Sequence, residues 1–123
     1  VQKVKKGKGF DLEDLRDQLR RFAAERDWDQ FHSPKNLASA LVVEAVELLE
    51  HFQWLTEEQS GALTDDQKQK VVDELADVFI YSIRLADKLD VDLIQSARDK
   101  IARNATKYPV EKARGNAKKY TDL

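Results

Sequence analysis

Leu37-Ala-Ser-Ala-Leu-Val-Val-Glu-Ala-Val-Glu-Leu-Leu49 and Val71-Val-Asp-Glu-Leu-Ala-Asp-Val-Phe-Ile-Tyr81 are apolar runs that each carry two carboxylates three residues apart. Residues at that spacing share a helix face, so Glu44/Glu47 and Glu74/Asp77 each aim two oxygen-rich side chains in one direction. Four negative charges gathered in a helical core repel one another and lose hydration unless a cation lies between them. A hard divalent ion suits such a donor set, Mg²⁺ first, with Mn²⁺ as the substitute. The competing reading is two solvated faces, since 23 acidic residues in a chain of 123 create many accidental pairs.

Outward from these runs the chain reads as helix. Leu12, Leu15, Leu19, Phe22 and Ala23 form an amphipathic stripe after Asp11, predicting a first helix to about Glu25. Asp27 to His32 reads as a loop, with Ser33 as a cap and Pro34 at the first position of a second helix running to about Leu55. The apolar residues of that helix cover most of its circumference, as expected of a central helix. Ser60-Gly61-Ala62 should break the chain, and Thr64-Asp-Asp-Gln67 has capping-box spacing for a third helix to about Leu89. Asp92 opens a fourth, which Tyr108-Pro109 should end. The expected organisation is a basic leader over residues 1–10, an all-α domain over 11–108, and a basic C-terminal segment over 109–123 contributing to the site.

Composition narrows the class. The formal charge of -2 gives no global argument for nucleic-acid binding, and no apolar stretch approaches the roughly 20 residues of a membrane span. The absence of cysteine excludes thiolate ligands and disulfides and fits a cytoplasmic setting. A small domain whose second and third helices are apolar nearly all round also needs a partner to cover them.

In an antiparallel pairing of the second and third helices the two acidic pairs can face each other, as bundles build metal sites. His51, four residues after Glu47, is either beside that site or on the helix surface, the latter preferred; Glu50 either bonds a metal-bound water or is solvated; Asp73 reads as a surface residue. Magnesium held by carboxylates commonly meets phosphate, and Arg103, Asn104, Lys107, Lys112, Arg114 and Lys119 supply counter-charge and a neutral donor near the C-terminus. Trp28, Phe31, Trp54 and Tyr81 provide aromatic surface for a base or sugar, against the plainer reading of packing.

The order Glu44-x-x-Glu47, then residues 48–73, then Glu74-x-x-Asp77 resembles the signature of the MazG-like all-α nucleoside triphosphate pyrophosphatase superfamily. Phe22-Ala-Ala-Glu-Arg-Asp-Trp-Asp-Gln-Phe-His32, Pro34-Lys-Asn-Leu37, Phe52-Gln-Trp54, Tyr108-Pro109, Ala113-Arg114 and Lys119-Tyr-Thr121 are similar to its dCTP pyrophosphatase branch. The resemblance implies a four-helix bundle completed by oligomerisation, a dimer or a homotetramer built as a dimer of dimers. It implies Mg²⁺-dependent hydrolysis of dCTP or other (deoxy)nucleoside triphosphates to monophosphate and pyrophosphate, a house-cleaning reaction with no nucleic-acid or membrane partner. Glu44, Glu47, Glu74 and Asp77 would hold one ion or two, with Glu47 first in line for the attacking water. Trp28 and Trp54 would flank the base, with Phe31, Lys35 and Asn36 nearby in the matching blocks; Tyr81 would line the pocket, and Asn104, Lys107 and Tyr108 would approach phosphates or sugar. Leu19 stands where close members of the branch place a histidine, which implies selectivity broader than strict dCTP preference. A related hydrolase for a modified nucleotide or phosphoribosyl-ATP-like substrate is the alternative within the class; a non-enzymatic helical interaction protein is the alternative outside it.

Overall fold

The structure is a computed structural model that describes residues 11–123, so the basic leader expected over residues 1–10 lies outside the described part. Helices account for nearly all the regular structure, and no strand occurs among the described residues. Asp11 caps α1 (Leu12–Glu25), its carboxylate accepting from the Asp14 backbone N–H at 2.8 Å. The chain turns through Asp27, at a left-handed φ of 54°, a conformation aspartate tolerates better than bulky residues. A single 3₁₀ turn, Asp29–Phe31, then leads to Ser33, which caps α2 (Pro34–Glu50) by accepting from the Asn36 N–H at 3.1 Å.

The second helix stops five residues short of the expected Leu55. His51 to Leu55 close in tight turns, with the Phe52 N–H donating to the Leu49 carbonyl and the Leu55 N–H to the Phe52 carbonyl, both at 2.9 Å. Thr56 then adopts an extended conformation and caps a one-turn helix, α3 (Glu57–Ser60), through a reciprocal box with Gln59. Ser60 therefore ends this short helix rather than opening the break. The box at Thr64 and Gln67 starts α4 (Asp65–Lys88), as its spacing predicts. Asp92 caps α5 (Leu93–Lys107), which ends at Tyr108 before Pro109, and a further single turn, α6 (Val110–Ala113), follows.

Two compact units divide between Asp90 and Val91. In the first, α2 and α1 both pack on α4. Glu44 faces Asp77 and Tyr81, while His51, two turns further along α2, faces Glu74, so α2 and α4 run antiparallel. Among the described residues the buried apolar set is small: Ala23, Leu37, Ile83 and Ala86. Val42, Val46 and Leu49 of α2, and Val72, Leu75 and Phe79 of α4, are exposed in this single chain; their helical spacing sets each group on the side of its helix opposite the acidic pairs. The second unit holds α5, α6 and a 3₁₀ turn at Tyr120–Asp122, where Tyr108 and Tyr120 meet edge-on at 6.0 Å. No helix among the described residues is long and apolar enough to cross a membrane.

Candidate metal centre

The antiparallel pairing of α2 and α4 brings Glu44, Glu74 and Asp77 together, with one carboxylate oxygen from each lying within 4.8 Å of the others. Glu47 does not join that triad but lies against Glu44 on the same helix. Burial comes first in pushing the Glu44 carboxyl up to about 7, followed by the neighbouring carboxyls of Glu47 and Glu74 and the charge of Asp77. Protonating Glu44 is what the protein alone can do to relieve this repulsion.

Two atoms test whether a cation fits. Glu44 Oε2 and Glu74 Oε2 are buried and lack a hydrogen-bond partner. A buried acceptor left unpaired costs about 1–3 kcal/mol, and here two such oxygens belong to one cluster of like charge. A divalent cation, if held by Glu44 and Glu74, would supply both missing partners and offset the repulsion. The oxygen-only triad is the donor chemistry of a hard ion.

His51 Nε2 lies 3.7 Å from Glu74 Oε1 across the helix pair, so His51 adjoins the triad, where the sequence favoured a plain helix surface. The Tyr81 phenol is raised by burial, then by the charges of Glu44 and Asp77; it stays protonated and can donate. Asp73 is exposed and accepts from Gln69 at 3.0 Å. Glu50 is exposed.

The other candidate residues are distributed as follows. Trp28 packs edge-on against Phe22, with centroids 5.7 Å apart, and against His32 at 6.4 Å. Phe31 and Lys35 are exposed, whereas the Asn36 amide is engaged in donating to the Phe31 carbonyl at 2.9 Å. Trp54, in the turns after α2, is 87% exposed. In the second unit, Lys107 places its ammonium 4.9 Å from the centre of the Tyr120 ring, and the Asn104 carbonyl accepts from the Tyr108 N–H at 2.8 Å. Lys112 lies in α6, Arg114 ends it, and Lys119 precedes the last 3₁₀ turn. One residue escaped the sequence reading: Arg84, buried on α4. Its signal was a lone cation in an apolar run, seven residues beyond Asp77 and hence on the same face.

The chain as a whole is similar to known proteins. A family model described as MazG-like matches residues 40–123. The chain is 47% identical to dCTP pyrophosphatase 1 of Bos taurus over 114 residues, covering 91% of this chain and 68% of that one. It is 44% identical to dCTP pyrophosphatase 1 of Homo sapiens, covering 91% and 67%. The crystal structure of a pyrophosphatase from Archaeoglobus fulgidus superposes with a TM-score of 0.78 at 36% identity, covering 87% of this chain and 99% of that one.

Proposed function

The chain belongs to the MazG-like family, and we propose that it hydrolyses deoxynucleoside triphosphates, dCTP foremost, to monophosphate and pyrophosphate. The observation that carries the reading is the Glu44, Glu74 and Asp77 cluster with its two unpaired buried oxygens, set in a chain 47% identical to a dCTP pyrophosphatase. Glu44, Glu74 and Asp77 would hold Mg²⁺, with Glu47 beside them. The ion, when bound, supplies charge neutralisation for the phosphoryl oxygens and for pyrophosphate as it departs. The chain's own residues do the rest. We assign Glu47, adjacent to the triad but outside it, the proton of the attacking water, and Tyr81 a hydrogen-bond donor role. Trp28 and Trp54 offer stacking surface for a base. Asn104, Lys107, Tyr108, Lys112, Arg114 and Lys119 enter the proposal by their polarity or charge, which complements a triphosphate.

Hydrolysis at the α phosphorus is tested by incubating the protein and Mg²⁺ with dCTP, dTTP, dATP, dGTP and CTP and identifying products. Monophosphate plus pyrophosphate is expected; diphosphate plus inorganic phosphate would overturn the reading. In ¹⁸O-labelled water the label should enter the monophosphate. EDTA should abolish turnover and Mg²⁺ or Mn²⁺ restore it, with Zn²⁺ a poor substitute at an oxygen-only triad.

The proposed assembly is a homo-oligomer, a tetramer built as a dimer of dimers. Its support is the exposed apolar stripe on each of α2 and α4, which a lone domain of this size would leave wet.

A further inference from the structure

Arg84 is 4% exposed and spans from α4 to the loop that carries Trp28. One of its terminal nitrogens, Nη2, donates to Asp29 Oδ1 at 2.8 Å and lies 3.1 Å from His32 Nδ1. A guanidinium has donors only, so His32 Nδ1 must be the unprotonated ring nitrogen and accept. Burial, and then the charge of Arg84, hold the His32 imidazole below its ordinary value, consistent with that state. Lys88, one turn further along α4, donates to the same Asp29 oxygen at 2.8 Å. Asp29 directly follows Trp28, and His32 packs against the indole from one side while Phe22 of α1 packs from another. The Trp28 backbone N–H donates to the Ala23 carbonyl at 2.9 Å.

Arg84 and Asp77 are two turns apart on the same face of α4, about 10 Å along the axis at 1.5 Å per residue. The helix that presents Glu74 and Asp77 is therefore the helix to which the Trp28 loop is tied. We propose that Arg84, acting through Asp29 and His32, is a positioning residue that sets the Trp28 indole for stacking on the substrate base at a fixed offset from the carboxylate triad. The inference rests on the base-stacking reading of Trp28. A charge-assisted contact from a buried guanidinium suits this role because its planar fork fixes direction as well as distance. The exposed loop holding the indole would otherwise have to be ordered at the expense of binding.

Asp29→Ala is the informative variant, because the Asp29 side chain is 57% exposed and its removal opens no core cavity. With the full chain, Mg²⁺ and dCTP, KM should rise roughly tenfold, within the range that losing one base-stacking contact spans, while kcat stays within about twofold. Arg84→Lys, which keeps the charge but not the fork, should give an intermediate rise. In a Trp28→Ala background the Asp29→Ala change should add nothing further. With Trp54→Phe leaving Trp28 as the sole tryptophan, Asp29→Ala should red-shift emission and increase acrylamide quenching. An equal KM effect with and without Trp28, or unchanged emission and quenching, would overturn the inference. A Trp28→Ala effect on KM with none from Asp29→Ala overturns the positioning role alone. An unaltered KM in Trp28→Ala overturns the base-stacking reading, and this inference with it.

Discussion

Glu44 concentrates the chemistry of the site in one titration. Its ordinary value of 4.5 is pushed up to about 7 by burial and by the carboxyls of Glu47 and Glu74, so between these limits the folded protein keeps a proton that the unfolded chain releases. Stability linked to that proton is fully present below 4.5 and is lost as pH rises through about 7. In EDTA, the wild-type melting temperature should therefore fall between pH 5 and pH 8 relative to that of Glu44→Gln, a comparison that cancels the opposite contribution of His32, whose lowered value makes stability rise with pH over part of that window; Glu44→Gln should match or exceed the wild type at pH 8. A wild type that gains on Glu44→Gln over the same interval would contradict the assignment. The same exchange removes a charge the cation needs, so turnover should fall beyond the roughly 10–100-fold that losing an outer partner of a metal site costs. Glu74→Gln and Asp77→Asn should behave alike in Mg²⁺-supported assays, each with helix content preserved by circular dichroism. Because cation binding displaces the Glu44 proton, apparent Mg²⁺ affinity should strengthen from pH 6 to pH 8, and calorimetry in buffers of different ionisation enthalpy would register the released proton.

Individual helices differ in how clearly their ends are written. Thr64 and Gln67 form the box their spacing announces, and Thr64→Ala should cost about 1 kcal/mol of stability, read by urea denaturation, with KM unaltered. Thr56 and Gln59 form an equivalent box just past the expected end of α2 at about Leu55, an end set too late because Phe52 and Leu55 extend the apolar pattern past the true one at Glu50. Periodicity records which residues seek apolar surroundings; it does not distinguish a helix from the tight turns that place Phe52 and Leu55 half-buried beyond it. The acidic pairs were legible for the opposite reason, since i,i+3 spacing has one geometric meaning inside a helix. Their cross-helix partners, and the place of His51 beside Glu74, depend on the register of α2 against α4, which no local pattern carries. The early end of α2 also decides where Trp54 sits, on turns and 87% exposed. Trp54→Ala should leave the melting temperature within about 1 °C, as expected for an exposed residue, yet lower kcat/KM for dCTP about five- to hundredfold if the indole stacks on the base. Steady-state kinetics across the triphosphate panel would decide it, an unchanged profile removing Trp54 from the base site.

At the scale of the whole molecule the sequence carried a demand that one chain does not meet. The apolar circumference of α2 called for a central helix, but α1 and α4 leave Val42, Val46 and Leu49 uncovered, and Val72, Leu75 and Phe79 repeat the situation on α4. Exposed valine, leucine and phenylalanine at helical spacing form a stripe on each helix rather than scattered single residues, and such apolar surface serves association. A second copy of the same chain suits each stripe because a two-fold axis lets the stripe meet its own counterpart. Light scattering on the purified protein should then give a mass that is a multiple of 14.2 kDa, and Val46→Glu or Phe79→Glu should shift it toward the single-chain value by forcing a charge into the contact. Neither residue belongs to the Glu44, Glu74 and Asp77 cluster. A loss of activity that accompanies dissociation, and returns at higher protein concentration, would therefore mean that the site is completed only in the assembly. A wild-type protein that runs at 14.2 kDa with full activity would refute the assembly while leaving the carboxylate chemistry intact.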